Sequence, residues 1–258
     1  LSYLESRFLD DAGETLTVAA TGIAGRLDVL MAERQGDIQL LARSRAVQSG
    51  DVTAMSQYLD WMVTAYPVYQ ELSVLDLQGQ VIAGTNHASI GRDYQAAPWF
   101  QQGRQAQTVY QGEVWLLGGG DSRGIGVMFA SPIVAARGDV TGVVVGQIAL
   151  PVLEDLFMPI VLSLQSHWGT SAHLEYLCLD PDGQLITDSQ LREEGQVNLK
   201  ERGVRSARLF NTAPAGFVEE VHQRRGVVVI TGYAQAKGLE AHEALRWGVL
   251  VRIDRDDV

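Results

Sequence analysis

The sequence predicts an α+β protein in which a long N-terminal helix precedes two antiparallel sheet modules in tandem. The helix is indicated by apolar residues at three- and four-residue spacing before residue 50. The modules are indicated by a repeated hairpin, because LSVLDLQGQVIAGT at 72–85 returns as LEYLCLDPDGQLITDS at 174–189. A second segment, GVVVGQIAL from Gly142, returns as GVLVRID from Gly248. These two matches keep the same order and are displaced by about 103 and 106 residues, which indicates two similar modules.

Length and composition are those of a globular protein with a packed core. The 258 residues are 46% hydrophobic, well outside the range of disordered chains. A net charge of −11 disfavours nucleic acid as a partner, and no cluster of Lys and Arg reverses it locally. The single cysteine, Cys178, cannot form an internal disulfide, and its apolar strand pattern predicts a buried thiol. No run approaches the roughly 18 consecutive apolar residues of a membrane span.

Residues 1–67 are predicted to be helical. From Leu4 to about Ser49 the sequence has no proline, and its apolar spacing predicts one helix of more than about forty residues. Such a length is typical of a stalk that packs along the rest of the protein or along a second copy of itself. Glycines within this helix weaken it by up to about 1 kcal/mol each and permit a bend. A second helical pattern ends before Pro67, which prevents its continuation.

Residues 68–150 are predicted to form the first sheet module. Its hairpin is followed by a loop that leads into a short helix near Trp99. Three further strands are predicted: VYQGEVWLL from Val109, IGVMFASPIV from Ile125 and GDVTGVVVGQIAL from Gly138. Residues 151–171 form an apolar connector.

Residues 172–258 are predicted to form the second module on the same plan. The hairpin alignment equates Leu72 with Leu174 and, after a two-residue insertion in the turn, Gly79 with Gly183. A polar stretch then leads to a predicted helix, AGFVEEVHQRR, from about Ala215. Two strands, GVVVITGYAQA and LRWGVLVRID, complete the module.

These segments resemble the double Cache sensor domain of bacterial transmembrane receptors. The resemblance is carried by the long helix, the two modules, DYQAAPWF after the first hairpin, ASPI on a later strand and the final LRWGVLVRID. It covers almost the whole chain and implies two tandem PAS-like modules. It also implies a periplasmic location, between two membrane-spanning helices that are expected to lie outside this sequence.

The same resemblance implies a role in signal transduction. The domain is expected to bind a small molecule and to pass a conformational signal through the membrane to a histidine kinase, diguanylate cyclase or chemoreceptor output. Both chain ends are then expected on the same side, and the N-terminal helix is expected to form a homodimer in the full receptor. The alternative is a spacer, or a domain that docks a partner protein and binds no small molecule.

Each candidate catalytic motif lacks a residue or the secondary structure that its chemistry requires. No enzymatic activity, cofactor or metal is therefore predicted for this segment. The glycine cluster at 118–126 does not fit G-x-G-x-x-G, since Arg123 takes the sixth position, and it leads into a strand where a dinucleotide site needs a helix. The segment HEALR at His242 begins like a zinc-protease motif, but Arg246 replaces the second histidine. No G-x-S-x-G elbow is present.

A ligand site is predicted in the membrane-distal module, residues 68–150, because aromatic side chains are concentrated there. Apolar walls with a few polar groups are typical of small-molecule pockets, although buried aromatics also serve simply to fill a core. The glycine-rich loop could act as a lid or be an ordinary solvated turn. The predicted ligand is a small, weakly charged organic molecule or a carboxylate. The aromatic candidates are Tyr94, Trp99, Phe100, Tyr110, Trp115 and Phe129, and the polar candidates are Asp121, Arg123, Ser131 and Gln147.

The resemblance also limits the choice of ligand. In amino-acid-sensing members of the family, an arginine two residues before the tryptophan binds the ligand carboxylate, and an aspartate on the last strand binds the ammonium. Here Trp99 and Phe100 match the aromatic pair, but Ala97 and Gln147 occupy the places of the two charged residues. Burying a zwitterion without these partners costs several kcal/mol. Free α-amino acids are therefore not expected to bind tighter than about millimolar in the family's usual way.

Overall fold

The computed structural model describes residues 3–117, 123–239 and 244–258, and of residues 113–117, 123–125 and 150 it describes the backbone only. The described helices are α1 (Tyr3–Ala42), α2 (Arg45–Gln48), α3 (Val52–Ala65), α4 (Pro98–Gln105), α5 (Leu150–Trp168) and α6 (Arg205–Leu209). The described strands are β1 (Tyr69–Leu75), β2 (Val81–Gly84), β3 (Tyr110–Leu117), β4 (Arg123–Val134), β5 (Val140–Ala149), β6 (Leu174–Leu179), β7 (Leu185–Asp188), β8 (Gly216–His222), β9 (Val227–Gln235) and β10 (Gly248–Asp254).

The chain forms two compact units. The first unit comprises residues 32–152 and contains β1–β5, whereas the second comprises residues 1–31 and 153–258 and contains β6–β10. Each unit has one five-stranded antiparallel sheet, with the order β2-β1-β5-β4-β3 in the first and β7-β6-β10-β9-β8 in the second. The identical strand order confirms the α+β fold with two modules of the same type.

The two hairpins align residue by residue without an insertion. The carboxylate of Asp76 accepts hydrogen bonds from the backbone N–H groups of residues 78 and 80, and that of Asp180 accepts them from residues 182 and 184. Both turns also place a glycine at positive φ, Gly79 at 83° and Gly183 at 93°. The structure therefore equates Asp76 with Asp180 and Leu75 with Leu179, so the predicted alignment of the first strands was wrong by two residues.

Helix α1 has 40 residues and ends earlier than predicted. It stops at Ala42 because Ser44 caps the separate helix α2, accepting a hydrogen bond from the backbone N–H of Val47. By length and composition alone α1 could cross a membrane, but 44% of its most apolar 18-residue window is buried in the protein. In the second unit its buried residues include Leu16, Ala20, Ile23 and Leu27.

Strand β8 corrects the prediction of a helix from about Ala215. Along Gly216–His222 exposed and buried residues alternate, and every residue pairs with β9. The buried positions include Glu220 and His222, both held by hydrogen bonds in the core. These polar residues at core positions hide the two-residue period of a strand.

The first sheet has two differently covered faces. On one face Gly146 allows Ile38 of α1 to approach, since a Cβ at this glycine would lie 2.4 Å from Ile38 Cδ1. On the other face α4 packs closely, since a Cβ at Gly103 would lie 2.4 Å from the Cβ of Ala130. We call this second side the α4 face; its buried core includes Phe100.

Candidate functional site

The α4 face carries a cluster of aromatic side chains. Phe100 is fully buried and anchors α4 on the sheet, whereas Tyr94, Trp99 and Tyr110 are only half-buried against the same core. The ring centroids of Tyr94 and Trp99 lie 5.2 Å apart, and those of Trp99 and Phe100 lie 6.3 Å apart. The first unit thus presents an aromatic wall that keeps part of its surface accessible.

Local backbone contacts place this wall over the hairpin. The backbone N–H of Tyr94 donates to the carbonyl of Gly79 at 2.8 Å, and Gly79 has no space for a side chain because a Cβ there would lie 2.5 Å from the nitrogen of Gln95. Helix α4 then begins with Pro98 in its first turn, where a missing N–H costs no helical hydrogen bond. Trp99 is consequently fixed in the first turn of α4.

A mixed polar row crosses the sheet on the same face. The strand registers place Glu71, Gln147, Met128 and Gly112 side by side on four neighbouring strands. Glu71 and Gln147 are half-buried. Gly112 leaves room for the Tyr110 hydroxyl, since a Cβ at this glycine would lie 2.1 Å from that oxygen. We call these four residues the polar row, after its two polar members, Glu71 and Gln147.

Hydrogen bonds from neutral groups hold the Glu71 carboxylate. The Ser89 hydroxyl shares its hydrogen between one carboxylate oxygen at 3.0 Å and the Asn86 carbonyl at 2.7 Å, and the Ser73 hydroxyl donates to the same carboxylate oxygen at 3.2 Å. The amide of Asn86 donates to the other oxygen at 3.4 Å. No sequence pattern predicted a role for Glu71, because one carboxylate on a strand usually marks a solvent-facing position.

The structure brings five of the predicted residues to the α4 face and separates others from it. Tyr94, Trp99, Phe100, Tyr110 and Gln147 lie on this face. Phe129 and Ser131 belong to the opposite face. Successive side chains of β4 point to opposite faces of the sheet, and Met128 and Ala130 pack on the α4 side. Asp121 and the side chains of Trp115 and Arg123 lie outside the described residues.

The second unit has a network of buried charges at the corresponding place. Glu175 of β6 and Arg252 of β10 are paired across the sheet, and Arg252 Nε donates to Glu175 Oε2 at 2.8 Å. Both side chains are 2% exposed or less. Arg224 donates to Asp188 Oδ2 at 2.5 Å, and the Ser206 hydroxyl donates to Glu220 at 2.5 Å.

Histidine and arginine together keep Glu175 ionised. The backbone N–H of Arg225 donates to Nδ1 of His222, and Nε2 of the same ring lies 2.9 Å from Glu175 Oε2 and 3.0 Å from Arg252 Nη2. Burial by itself raises the pKa of the Glu175 carboxyl, but the His222 hydrogen bond and the Arg252 guanidinium outweigh it and lower the pKa to about 2. The network therefore stabilises the fold only while Glu175 is charged.

One further group has the composition of a metal site. His173, Asp254 and Asp257 present ligand atoms within 4.8 Å of one another at the surface. Their carboxylates already have partners: Arg225 binds both oxygens of Asp254, and the backbone N–H of His173 donates to Asp257 at 2.7 Å. A cation would have to displace these bonds, and we assign no metal to the group.

The chain matches the Cache domain family over residues 2–258. Comparison with curated proteins gave no match. A domain of a putative sensory box/GGDEF family protein from Vibrio parahaemolyticus is similar in structure, with a TM-score of 0.71 and 12% identity over 96% of this chain and 98% of that one. The ligand-binding domain of the Pseudomonas aeruginosa amino acid chemoreceptor PctB, in complex with L-Arg, gives a TM-score of 0.68 and 18% identity over 96% and 90% of the two chains.

An extracellular ligand-binding receptor from Desulfohalobium retbaense gives a TM-score of 0.66 and 15% identity, covering 92% of this chain. This chain spans only 40% of that receptor's chain. At these identities the structural likeness establishes the fold, whereas the family match extends over nearly the whole sequence. The protein therefore belongs to the Cache domain family and is a sensor domain with two PAS-like modules.

Proposed function

We propose that the first unit binds a small organic molecule on the α4 face, between the aromatic wall and the polar row. The observation that carries this proposal is the partial exposure of Tyr94, Trp99 and Tyr110 beside Glu71 and Gln147. A core-filling role would bury such rings completely, as it does Phe100. Apolar walls with a few polar groups favour a binding site over a spacer.

Replacing Trp99 with alanine is expected to weaken binding at least about tenfold, because the indole supplies a flat apolar wall to the ligand. The measurement is the ligand-induced rise in melting temperature with a library of small amines, carboxylates and sugars. Trp61→Ala is the matched control, since Trp61 is 55% exposed on α3 in the same unit. Equal binding by both variants would show that Trp99 is not part of the site. If no compound in the library binds, the partner-docking alternative is favoured.

The family's usual amino-acid mode is not part of this proposal. Ala97, like Trp99, is half-buried and packs against the core of the α4 face, and Gln147 is neutral. A ligand carboxylate would therefore lie near alanine at the position where a charged partner is needed. Micromolar binding of a free α-amino acid would contradict this part of the proposal.

We further propose that the domain is the periplasmic part of an inner-membrane receptor, continued by membrane-spanning helices and an output module. The two chain ends meet in the second unit, since Arg255 Nη2 donates to Glu5 Oε1 at 3.1 Å. Leu4 and Phe8 lie beside Val258 around a shared surface cleft. This proximity fits two helices that enter one membrane side by side.

A heptad pattern on α1 supports dimerisation through this helix. The exposed side of its N-terminal part has residues at alternating four- and three-residue spacing, as in a coiled-coil seam. Leu4 and Phe8 are more than 60% exposed, and Val18 is 73% exposed. An aspartate within the seam would bring like charges together, which predicts weak association of the isolated domain. The seam consists of Leu4, Phe8, Asp11, Thr15, Val18, Gly22, Gly25 and Val29.

Val18→Cys is expected to form a disulfide-linked dimer when the concentrated protein is oxidised, because two parallel helices would bring these positions together. The native Cys178 is fully buried, so the new thiol would be the reactive one. Thr21→Cys is the control, since Thr21 is exposed on α1 but lies outside the seam. Non-reducing electrophoresis measures the linked fraction, and equal cross-linking of both variants would contradict the seam.

A further inference from the structure

The repeat within the chain pairs Glu71 of the first unit with Glu175 of the second. Asp76 and Asp180 form the same turn, and each glutamate precedes its aspartate by five residues. Across the sheet Glu71 pairs with Gln147 of β5, and Glu175 pairs with Arg252 of β10. The two units therefore present a carboxylate at one equivalent position, with different neighbours.

In the second unit the chain itself supplies a cation to this carboxylate. The Arg252 guanidinium binds Glu175 at 2.8 Å and is buried with it. In the first unit the residue at the Arg252 position is Gln147, which carries no charge. Within the described part of the chain, the hydrogen-bond partners of Glu71 are also neutral: Ser73, Ser89 and Asn86.

We propose that the ligand of the first unit carries a positively charged nitrogen, an ammonium or guanidinium group, which binds Glu71 as Arg252 binds Glu175. The inference rests on the proposed ligand site of the α4 face and names the chemical class that this site takes. The three neutral donors orient the Glu71 carboxylate without neutralising it. Its charge is thus available to a cation from solution.

The aromatic wall strengthens the case for a cation. The faces of tryptophan and tyrosine attract ammonium and guanidinium groups, and Tyr94 and Trp99 pack on the core that includes Met128 of the polar row. Two strand spacings separate Glu71 from Met128, which is about 10 Å between backbones. A ligand that reaches both needs a chain of several atoms. The net charge of −11 further attracts cations and repels anions.

The test uses probes that differ in charge and are similar in size: butylamine, putrescine and agmatine as cations, 1-butanol as the neutral analogue and butyrate as the anion. Melting temperature and calorimetry report binding to the whole domain. At least one cation is expected to bind with a Kd below about 1 mM, and 1-butanol and butyrate are expected to bind at least about tenfold more weakly. No binding of any of the three cations at this level would overturn the proposal.

Glu71→Gln is expected to weaken cation binding at least about tenfold, because it removes the charge and keeps the side chain's size. Glu71→Asp should bind with intermediate strength. Glu201→Gln is the matched control, since Glu201 is exposed in the second unit and its loss changes the net charge equally. An unchanged melting temperature of the unliganded Glu71→Gln protein shows that the fold is kept.

The variants separate this inference from the ligand site on which it rests. Suppose that 1-butanol or butyrate binds best, and that Trp99→Ala weakens this binding while Glu71→Gln does not. The proposed ligand site is then supported, and the proposal of a positively charged ligand is overturned. If a cation binds and neither Glu71→Gln nor Trp99→Ala weakens it, both proposals are overturned. Loss of cation binding in both variants, with Glu201→Gln unaffected, supports both.

Discussion

Replacing Arg252 with methionine is expected to lower the free energy of unfolding of the second unit by about 3–5 kcal/mol at pH 7. The substitution keeps an unbranched apolar stem but removes the guanidinium that contacts Glu175 at 2.8 Å in a site that is 2% exposed or less. His222 and Arg224 remain near the carboxylate, at 2.9 and 3.5 Å. A buried charge that loses one of its partners keeps its desolvation cost while part of the compensating attraction is lost. Denaturant unfolding followed by circular dichroism, with hydrogen exchange of β10, measures the loss.

The dependence of this loss on pH identifies Glu175 as its cause. In the native protein the pKa of Glu175 is about 2, below the ordinary value of 4.5, so its contribution is present above pH 4.5 and is lost as pH falls toward 2. Without Arg252 the pKa of the buried carboxyl is expected to rise, because one of the groups that lower it is gone. Protonation on acidification then removes the charge that has lost this partner. The difference in stability between native protein and variant should therefore shrink on acidification.

Two further variants give the controls. Arg255→Met removes a more exposed arginine that pairs with Glu5 and Glu219, and it should cost less than about 1 kcal/mol. Adding Glu175→Gln to Arg252→Met should restore part of the stability, because the buried carboxylate that lost Arg252 is no longer charged. A loss below about 1 kcal/mol at pH 7, or one that does not change with pH, would mean that Arg252 does not hold Glu175 charged.

Apolar periodicity was sufficient to predict most of the fold. It located α1, α3 and the strands of both sheets except β8, because their buried residues are hydrophobic and evenly spaced. It failed at β8, where Glu220 and His222 occupy core positions and are satisfied by hydrogen bonds from Ser206 and to Glu175. Only the folded chain reveals that such polar residues are paired.

The proposed binding face was harder to predict than the fold, since its composition depends on strand register. The sequence indicated Phe129 and Ser131, but a strand changes face at each residue, and Met128 lies beside Gln147 on the α4 face. The row that joins Glu71 to Gln147 depends on pairing between strands separated by more than seventy residues. No local pattern around Glu71 contains that information.

Replacing Gly232 with alanine is expected to lower the free energy of unfolding by about 3 kcal/mol or more, because α1 packs directly on the backbone of β9 there. A Cβ at Gly232 would lie 2.3 Å from the carbonyl carbon of Leu16 and 2.6 Å from the nitrogen of Thr17. Both are backbone atoms of a helix, which cannot move aside as a flexible side chain does. The helix would have to shift away from the sheet and expose the buried side chains of Leu16, Ile23 and Leu27.

Gly36→Ala in α1 should have the opposite effect and raise stability by up to about 1 kcal/mol, since alanine has a higher helix propensity than glycine. A Cβ at Gly36 would meet no atom within 4 Å, so the two substitutions make the same chemical change in different surroundings. Thermal unfolding of both variants measures the difference, and hydrogen exchange along α1 shows whether the helix has left β9. If Gly232→Ala unfolds at the native temperature, α1 does not pack on β9 through its backbone, and the stalk is held to the second sheet by side chains alone.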